Sequence, residues 1–287
     1  AARARVAGRS LLVGTTFGPL EYAAIGAGDP VLAIHGAAGG FDQGLDMTGA
    51  LARRGHRVIA PSRFGYLRSA RPAALSTEMQ ADAYAQLLDR LGVEKVTVVA
   101  VSAGAWSALQ FAARHPQRCR ALVLLVPADH LPEGTAIRGG ALADAVFKSD
   151  FVAWSAAKAT PLVPGLTGRT MLGVDAAVLR AAAPDEKART RQVLDHLLPI
   201  TPRKAGMQFD IETAARRRPY PLGDIRCPVL AVSAQDDAFG TAARAREIVA
   251  AVPDGRALIF PTGGHALVGR HAAALEAVSA FMDGTPR

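Results

Sequence analysis

Short unbroken apolar runs alternate along this chain with stretches whose hydrophobic residues recur at helical spacing. Residues 96–101, Val-Thr-Val-Val-Ala-Val, are β-branched and lack polar alternation, the mark of a strand buried on both faces. Further strand-like runs lie at 31–34, 57–60, 121–126, 228–233 and 256–260, with 121–126 also read as buried. Two weaker ones, at 10–13 and 20–23, are separated by Gly14 and Gly18-Pro19 and bring the predicted strands to eight. Helices are predicted at 45–54, 77–91, from Ala105 to the His115-Pro116 stop, at 241–251 and at 272–282. In 77–91, Met79, Ala83, Leu87, Leu88 and Leu91 share one face. Thr77 with Gln80 predicts a capping box there, and Gly92 a stop.

Strands alternating with helices predict a parallel sheet covered on both faces. The rhythm breaks after Pro127: residues 129–226 are alanine-rich and carry prolines at 132, 161, 164, 184, 199, 202, 219 and 221. It resumes at 228, so 129–226 is predicted to be an insertion between two neighbouring strands of a core formed by 1–128 and 227–287. Within it Phe147, Phe151 and Trp154 stand at i, i+4 and i+7, one helical face. That stripe is expected to form the seam between insertion and core, or part of a pocket roof.

Composition narrows the class further. The chain is 50% hydrophobic and 20% charged, a globular balance, and no run nears the roughly 18 apolar residues of a membrane span. A net charge of +8 invites a nucleic-acid reading. The basic residues are scattered, however, with Arg216-Arg217-Arg218 the densest group, and no aromatics interleave with them. A solvated basic surface is the simpler account, and no nucleic-acid partner is expected. Cys119 and Cys227 form neither a C-x-x-C pair nor a metal cluster, so no metal or cofactor is expected. Residues 1–8 lack the apolar core of a signal peptide, and a cytoplasmic location is expected ahead of secretion.

The chemistry centres on Ser102, at a sharp turn between the strand 96–101 and the following helix, flanked by Ala100, Ala103 and Gly104. A serine hydroxyl needs a base within hydrogen-bond reach, and donors where charge develops on the attacked carbonyl. Of the seven histidines, His265 follows the last strand behind Gly263-Gly264. Candidate carboxylates are Asp237 and Asp236 after the strand 228–233, and Asp129 after 121–126. A glycine-rich loop, His35-Gly36-Ala37-Ala38-Gly39-Gly40, follows the strand 31–34. It lacks both the Gly-Lys-Ser/Thr ending of a phosphate loop and dinucleotide G-x-G-x-x-G spacing.

Ala100-Val101-Ser102-Ala103-Gly104 resembles the nucleophile elbow G-x-S-x-G of the α/β-hydrolase family, with Ala100 in the first glycine slot. The His35-Gly36 loop is similar to the family's oxyanion loop. Residues 234–237 resemble its G-x-x-D acid element, with Ala234 for the glycine. The loop 61–66 resembles its D-x-x-G-x-G segment, with Ser62 at the Asp position. The four elements of the mechanism occur in family order over nearly the whole chain.

The resemblance implies an α/β-hydrolase fold: a mostly parallel eight-stranded sheet flanked by helices, with an inserted helical cap. It implies Ser102 as nucleophile, His265 as base and Asp237 as acid, with Asp236 and Asp129 as alternatives. The backbone N–H groups of Ala37 and Ala103 would bind the oxyanion, while His35 shapes the loop. Phe41, Gln43, Phe147 and Trp154 are candidates for the substrate pocket. The function implied is a serine hydrolase of small, mainly apolar esters, thioesters or lactones, its partner a small-molecule substrate. A carbon–carbon bond hydrolase or a cofactor-free perhydrolase would use the same triad. A slow-turnover ligand receptor on this scaffold is the alternative from another class.

Overall fold

The computed structural model describes residues 2–130, 149–159, 168–169, 171–216 and 220–285. Eight strands form one sheet in the order β1-β2-β4-β3-β5-β6-β7-β8. They are β1 (Leu11–Thr15), β2 (Gly18–Ile25), β3 (Asp29–Ile34), β4 (His56–Pro61), β5 (Val96–Val101), β6 (Cys119–Leu125), β7 (Val229–Ala234) and β8 (Gly255–Phe260). β2 pairs antiparallel with β1 and β4, and the pairings from β4 across to β8 are parallel. The order reverses at β3, so β4 lies on one side of it and β5 on the other.

Side-chain alternation divides the central strands between two apolar layers. Val96, Val98 and Ala100 of β5 join Leu32, Ile34, Leu122 and Leu124 on one face. The helices Thr77–Arg90 and Gly104–Arg114 cover them through Tyr84, Leu87, Leu88, Leu109 and Phe111. Val99 and Val101 join Val31, Val58, Val123 and Val232 on the other face, under Leu51 of the helix Phe41–Arg53 and Val278 of the helix His271–Asp283. Each fully buried aliphatic side chain of this kind contributes about 1.5–3 kcal/mol against exposure. The buried double-sided core therefore fixes where the strand ends, and the loops beyond them, must lie.

Two expectations about element ends are corrected. The helix predicted at 45–54 begins four residues earlier, at Phe41, so it leaves the glycine-rich loop directly. The cap of the helix Thr77–Arg90 is Ser76, whose Oγ accepts the Met79 N–H at 3.2 Å, in place of the Thr77 box. Gln80 instead accepts the Phe64 N–H and braces the loop after β4.

Between β6 and β7, neighbours in the sheet, every described element is helical. The larger ones are Asp150–Ala159, Pro184–His196 and Lys204–Ala215. Buried ion pairs fasten this insertion to the core: Arg203, with 0% exposure, donates to both carboxylate oxygens of Asp42 at 3.1 and 2.8 Å. Arg63 donates to both oxygens of Asp210 at 2.6 and 2.7 Å. The expected aromatic seam is not one of the fasteners. Phe151 is 72% exposed and Trp154 48%, because the helix turns Ala153 inward to the cluster of Tyr66, Leu198, Ile200 and Met207. Phe147 lies outside the described residues.

No helix among the described residues is long and apolar enough to cross a membrane.

Candidate active site

The candidate groups come together beyond the carboxyl ends of the parallel strands. β5 ends at Val101, and the chain turns through Ser102 with φ of 48°, a left-handed conformation that costs a non-glycine residue about 1–3 kcal/mol. The turn is held on both sides, since the Ser102 N–H donates to the Leu125 carbonyl at 2.9 Å and the Ala105 N–H to the Ser102 carbonyl at 2.9 Å. Gly104 lets the outgoing helix pass close to β3: a Cβ there would lie 2.6 Å from the His35 carbonyl oxygen.

Asp237 and His265 complete a hydrogen-bonded chain. The Asp237 carboxylate can only accept, so it takes the Nδ1 proton of His265 across 2.8 Å. Nε2 is thereby left as the acceptor, and the Ser102 hydroxyl donates to it at 2.9 Å. The Asp237 side chain is fully buried and also accepts from the Phe239 N–H at 2.9 Å and from the Thr241 hydroxyl. Burial alone would raise its carboxyl pKa. The hydrogen bond and charge of His265, then Thr241 and Phe239, outweigh that and hold it below the ordinary carboxylate value. Asp237 is therefore the ionised partner that fixes the imidazole tautomer.

The alternative carboxylates stand elsewhere. Asp236 accepts the N–H groups of Gly263 and Gly264 at 3.2 and 2.9 Å, so it shapes the loop that carries His265. Asp129 faces Arg244 at 3.5 Å.

Several polar groups of the glycine-rich loop are anchored. Gln43 Oε1 accepts the Gly36 N–H at 2.8 Å. His35 donates from Nδ1 to the Gly36 carbonyl at 2.7 Å and accepts the Arg63 N–H on Nε2 at 2.8 Å. Its complete burial, with the Arg63 charge beside it, drives its pKa well below the ordinary histidine value, so it stays neutral and shapes the loop. The Gly36 Cα borders the elbow, because a Cβ built on it would lie 3.1 Å from Ser102 Cβ. Among the described residues no protein acceptor takes the N–H of Ala37 or of Ala103, and Ala37 is exposed. Two free donors thus stand in the two segments that meet at Ser102.

The pocket candidates divide differently from the expectation. Phe41 is 2% exposed in the apolar layer with Val58 and Val99, a core residue instead of a pocket floor. Gln43 is occupied in bracing Gly36. Trp154 stands on the outer surface, and Phe147 is outside the described residues. Phe239 takes a place at the site that sequence reasoning missed: its half-exposed ring meets the His265 imidazole edge-on at 4.8 Å.

Gly173 was missed too. Its carbonyl accepts the Ala238 N–H at 3.0 Å and the His265 N–H at 3.4 Å, bridging the acid and base loops from the insertion. Its φ of 56°, and a Cβ position 2.7 Å from His265 Cβ, require glycine. An isolated glycine in a long irregular segment carried no signal of this contact. Among the described residues, no group of three or more His, Cys, Asp or Glu side chains is placed to hold a metal.

Comparison with known proteins bears on the fold that carries these residues. The family model described as "alpha/beta hydrolase fold" matches residues 29–272. A 107-residue stretch is 38% identical to the uncharacterized hydrolase YcgS of Bacillus subtilis (strain 168), covering 37% of this chain and only 37% of that relative's length. Over 261 residues the chain is 25% identical to a 2-hydroxy-6-oxo-6-phenylhexa-2,4-dienoate hydrolase of Burkholderia cepacia, covering 86% of this chain and 85% of the relative. An alpha/beta hydrolase fold protein from Nakamurella multipartita superposes with a TM-score of 0.78 at 26% identity, over 95% of this chain and 99% of that one.

Proposed function

The chain belongs to the α/β-hydrolase fold family, and from that premise we propose that it is a serine hydrolase cleaving small, mainly apolar carboxylic esters, thioesters or lactones. The observation that carries this reading is the unbroken hydrogen-bond chain Ser102 to His265 to Asp237, at 2.9 and 2.8 Å.

Catalysis follows from the roles of the groups. His265 Nε2 takes the Ser102 proton as Oγ attacks the substrate carbonyl, and the imidazolium that forms is stabilised by ionised Asp237. Negative charge developing on the carbonyl oxygen is met by the N–H groups of Ala37 and Ala103, for which no protein acceptor is found among the described residues. The imidazolium then protonates the leaving group, giving the acyl-enzyme. Water, deprotonated by the same Nε2, attacks the acyl carbon and releases the acid. Neither a metal nor a cofactor has a step in this scheme.

The likeness to the Burkholderia cepacia dienoate hydrolase over most of both chains favours a second reading, hydrolysis of a carbon–carbon bond in a dienoate by the same triad. The test is a panel of p-nitrophenyl esters of rising chain length beside a 2-hydroxy-6-oxo-dienoate, with fluorophosphonate labelling of wild type and Ser102→Ala. Saturable ester hydrolysis, and labelling lost in Ser102→Ala, support the first reading; preference for the dienoate supports the second. Labelling that persists at another serine overturns both. Absence of turnover with tight ligand binding returns the receptor alternative.

A further inference from the structure

The loop after β4 and the inserted helix Lys204–Ala215 meet in a buried cluster that touches the glycine-rich loop. Arg63, Tyr66 and Asp210 are all buried. Arg63 makes its paired bonds to Asp210, and its Nη2 also donates to the Gly36 carbonyl at 3.0 Å. The Tyr66 hydroxyl donates to the same carboxylate and accepts the Ala38 N–H at 3.4 Å. A guanidinium is planar, so anchoring one edge on a carboxylate fixes where its remaining N–H points.

The bond to Gly36 matters because of which peptide it holds. The Gly36 carbonyl and the Ala37 N–H belong to one planar trans unit and point in opposite directions. Fixing the carbonyl toward Arg63 fixes the N–H away from it. A flipped Gly36–Ala37 peptide would remove a donor from the site and aim a carbonyl oxygen in its place. His35 Nδ1 pulls on the same carbonyl from within the loop, but His35 itself is held by the Arg63 backbone N–H. The Gly39 N–H donates to that carbonyl as well, at 3.3 Å, so the Arg63 side chain is the restraint on it that comes from outside the glycine-rich loop.

We propose that Arg63, oriented by Asp210 from the insertion, is a positioning residue for the oxyanion site, so that seating of the inserted helix and presentation of the Ala37 N–H are one event. The proposal rests on the serine-hydrolase reading and deepens it by making the insertion a structural requirement for transition-state binding. Arg63 touches no reacting atom. Its partner lies 147 residues away on an element outside the core.

The test compares Arg63→Lys, Asp210→Asn and the apolar pair Arg63→Met/Asp210→Leu with wild type. Arg63→Lys keeps the charge opposite Asp210 but lacks the second arm to Gly36. The apolar pair keeps the fold by removing both buried charges together. For an ester the wild type hydrolyses, kcat falls about 10- to 100-fold while KM stays within about threefold. Affinity for a trifluoromethyl ketone, which forms an oxyanion at Ser102, falls by the same factor. The downfield proton resonance of His265 Nδ1–H is retained, separating this effect from collapse of the triad.

Variants with kcat and ketone affinity within about twofold of wild type overturn the proposal, as do losses confined to KM or accompanied by disappearance of that resonance. A wild-type protein that neither turns over esters nor reacts at Ser102 overturns the hydrolase reading itself.

Discussion

Asp236 and Asp237 are adjacent in the chain yet bond to different parts of the loop that carries His265. Asp237 accepts the His265 Nδ1 proton, while Asp236 accepts the backbone N–H groups of Gly263 and Gly264 just before it. The turn after β7 sends successive side chains in different directions. One carboxylate therefore takes the Nδ1 proton of the imidazole, and the other sets the path of the backbone that carries it.

The two carboxylates separate by substitution. Asp237→Asn supplies an amide in place of a pure acceptor and favours the wrong imidazole tautomer, so kcat should fall about 10³- to 10⁴-fold. Asp236→Asn keeps an oxygen for one glycine N–H and should cost less than about tenfold. Steady-state kinetics on both variants decides the matter, and a larger loss at Asp236 would transfer the acid role.

Gly173→Ala offers a second cut at the same loop. The added methyl would sit 2.7 Å from His265 Cβ and 3.0 Å from Asp237 Oδ1, on a backbone with φ of 56°. A contact this close forces a shift of His265 or of the Gly173 segment that bonds to it, and misplacement of the imidazole by about 1 Å can cost roughly 100-fold in rate. The expected outcome is a large drop in kcat with a change in Tm of only a few degrees. Unchanged kcat would show that the insertion does not hold the imidazole in place.

What the sequence made legible, and what it hid, follows from how each residue is placed. Ser102, Asp237 and His265 each stand just past a parallel strand; β5 and β7 are buried throughout and read as unbroken apolar runs, while the edge strand β8 is part-exposed and is marked by its place as the last such run. The strand ends therefore locate residues that lie 163 positions apart yet bond to one another. Arg63 and Asp210 have no such marker. A buried ion pair joining a loop to an inserted helix leaves no periodicity, and each residue alone reads as an ordinary surface charge. The aromatic stripe at Phe151 and Trp154 misled for a related reason. Helical spacing reports that residues share a face, whereas which face is buried depends on the small Ala153 fitting beside Tyr66.

His271 predicts a pH response on the acid side of neutrality. Its burial, and the nearby Arg189 charge, lower its pKa to about 4, with Glu186 opposing. In the unfolded chain the ring protonates near pH 6.5. Between those values the unfolded state binds the extra proton, so this stabilisation is full above about pH 6.5 and is lost as pH falls toward 4. His271→Gln, which cannot titrate, should lose less Tm than wild type between pH 7 and 4.5. Parallel Tm profiles for the two proteins would sink this assignment.

The pair Arg203–Asp42 predicts where the docked insertion is most vulnerable. Burial favours a neutral Asp42, but the Arg203 hydrogen bonds and charge, joined by Arg5, keep its carboxyl below the ordinary range. Arg203 is completely buried, and it also donates from Nε to the Pro199 carbonyl at 3.0 Å. Asp42→Leu leaves that cation without its carboxylate in a site that water cannot reach, a change of the kind that costs about 3–5 kcal/mol. Arg203→Met is milder, because the half-buried Arg5 still faces Asp42. The double substitution removes both charges of the pair and leaves only the part-buried Arg5 without Asp42, so it should recover part of the loss. The measurement is urea unfolding of the three variants with m compared throughout, so that a native state already loosened by the substitution is distinguished from a lower stability. Equal losses in the double and in Asp42→Leu would mean that the ion pair contributes shape alone, and that its charges are already compensated elsewhere.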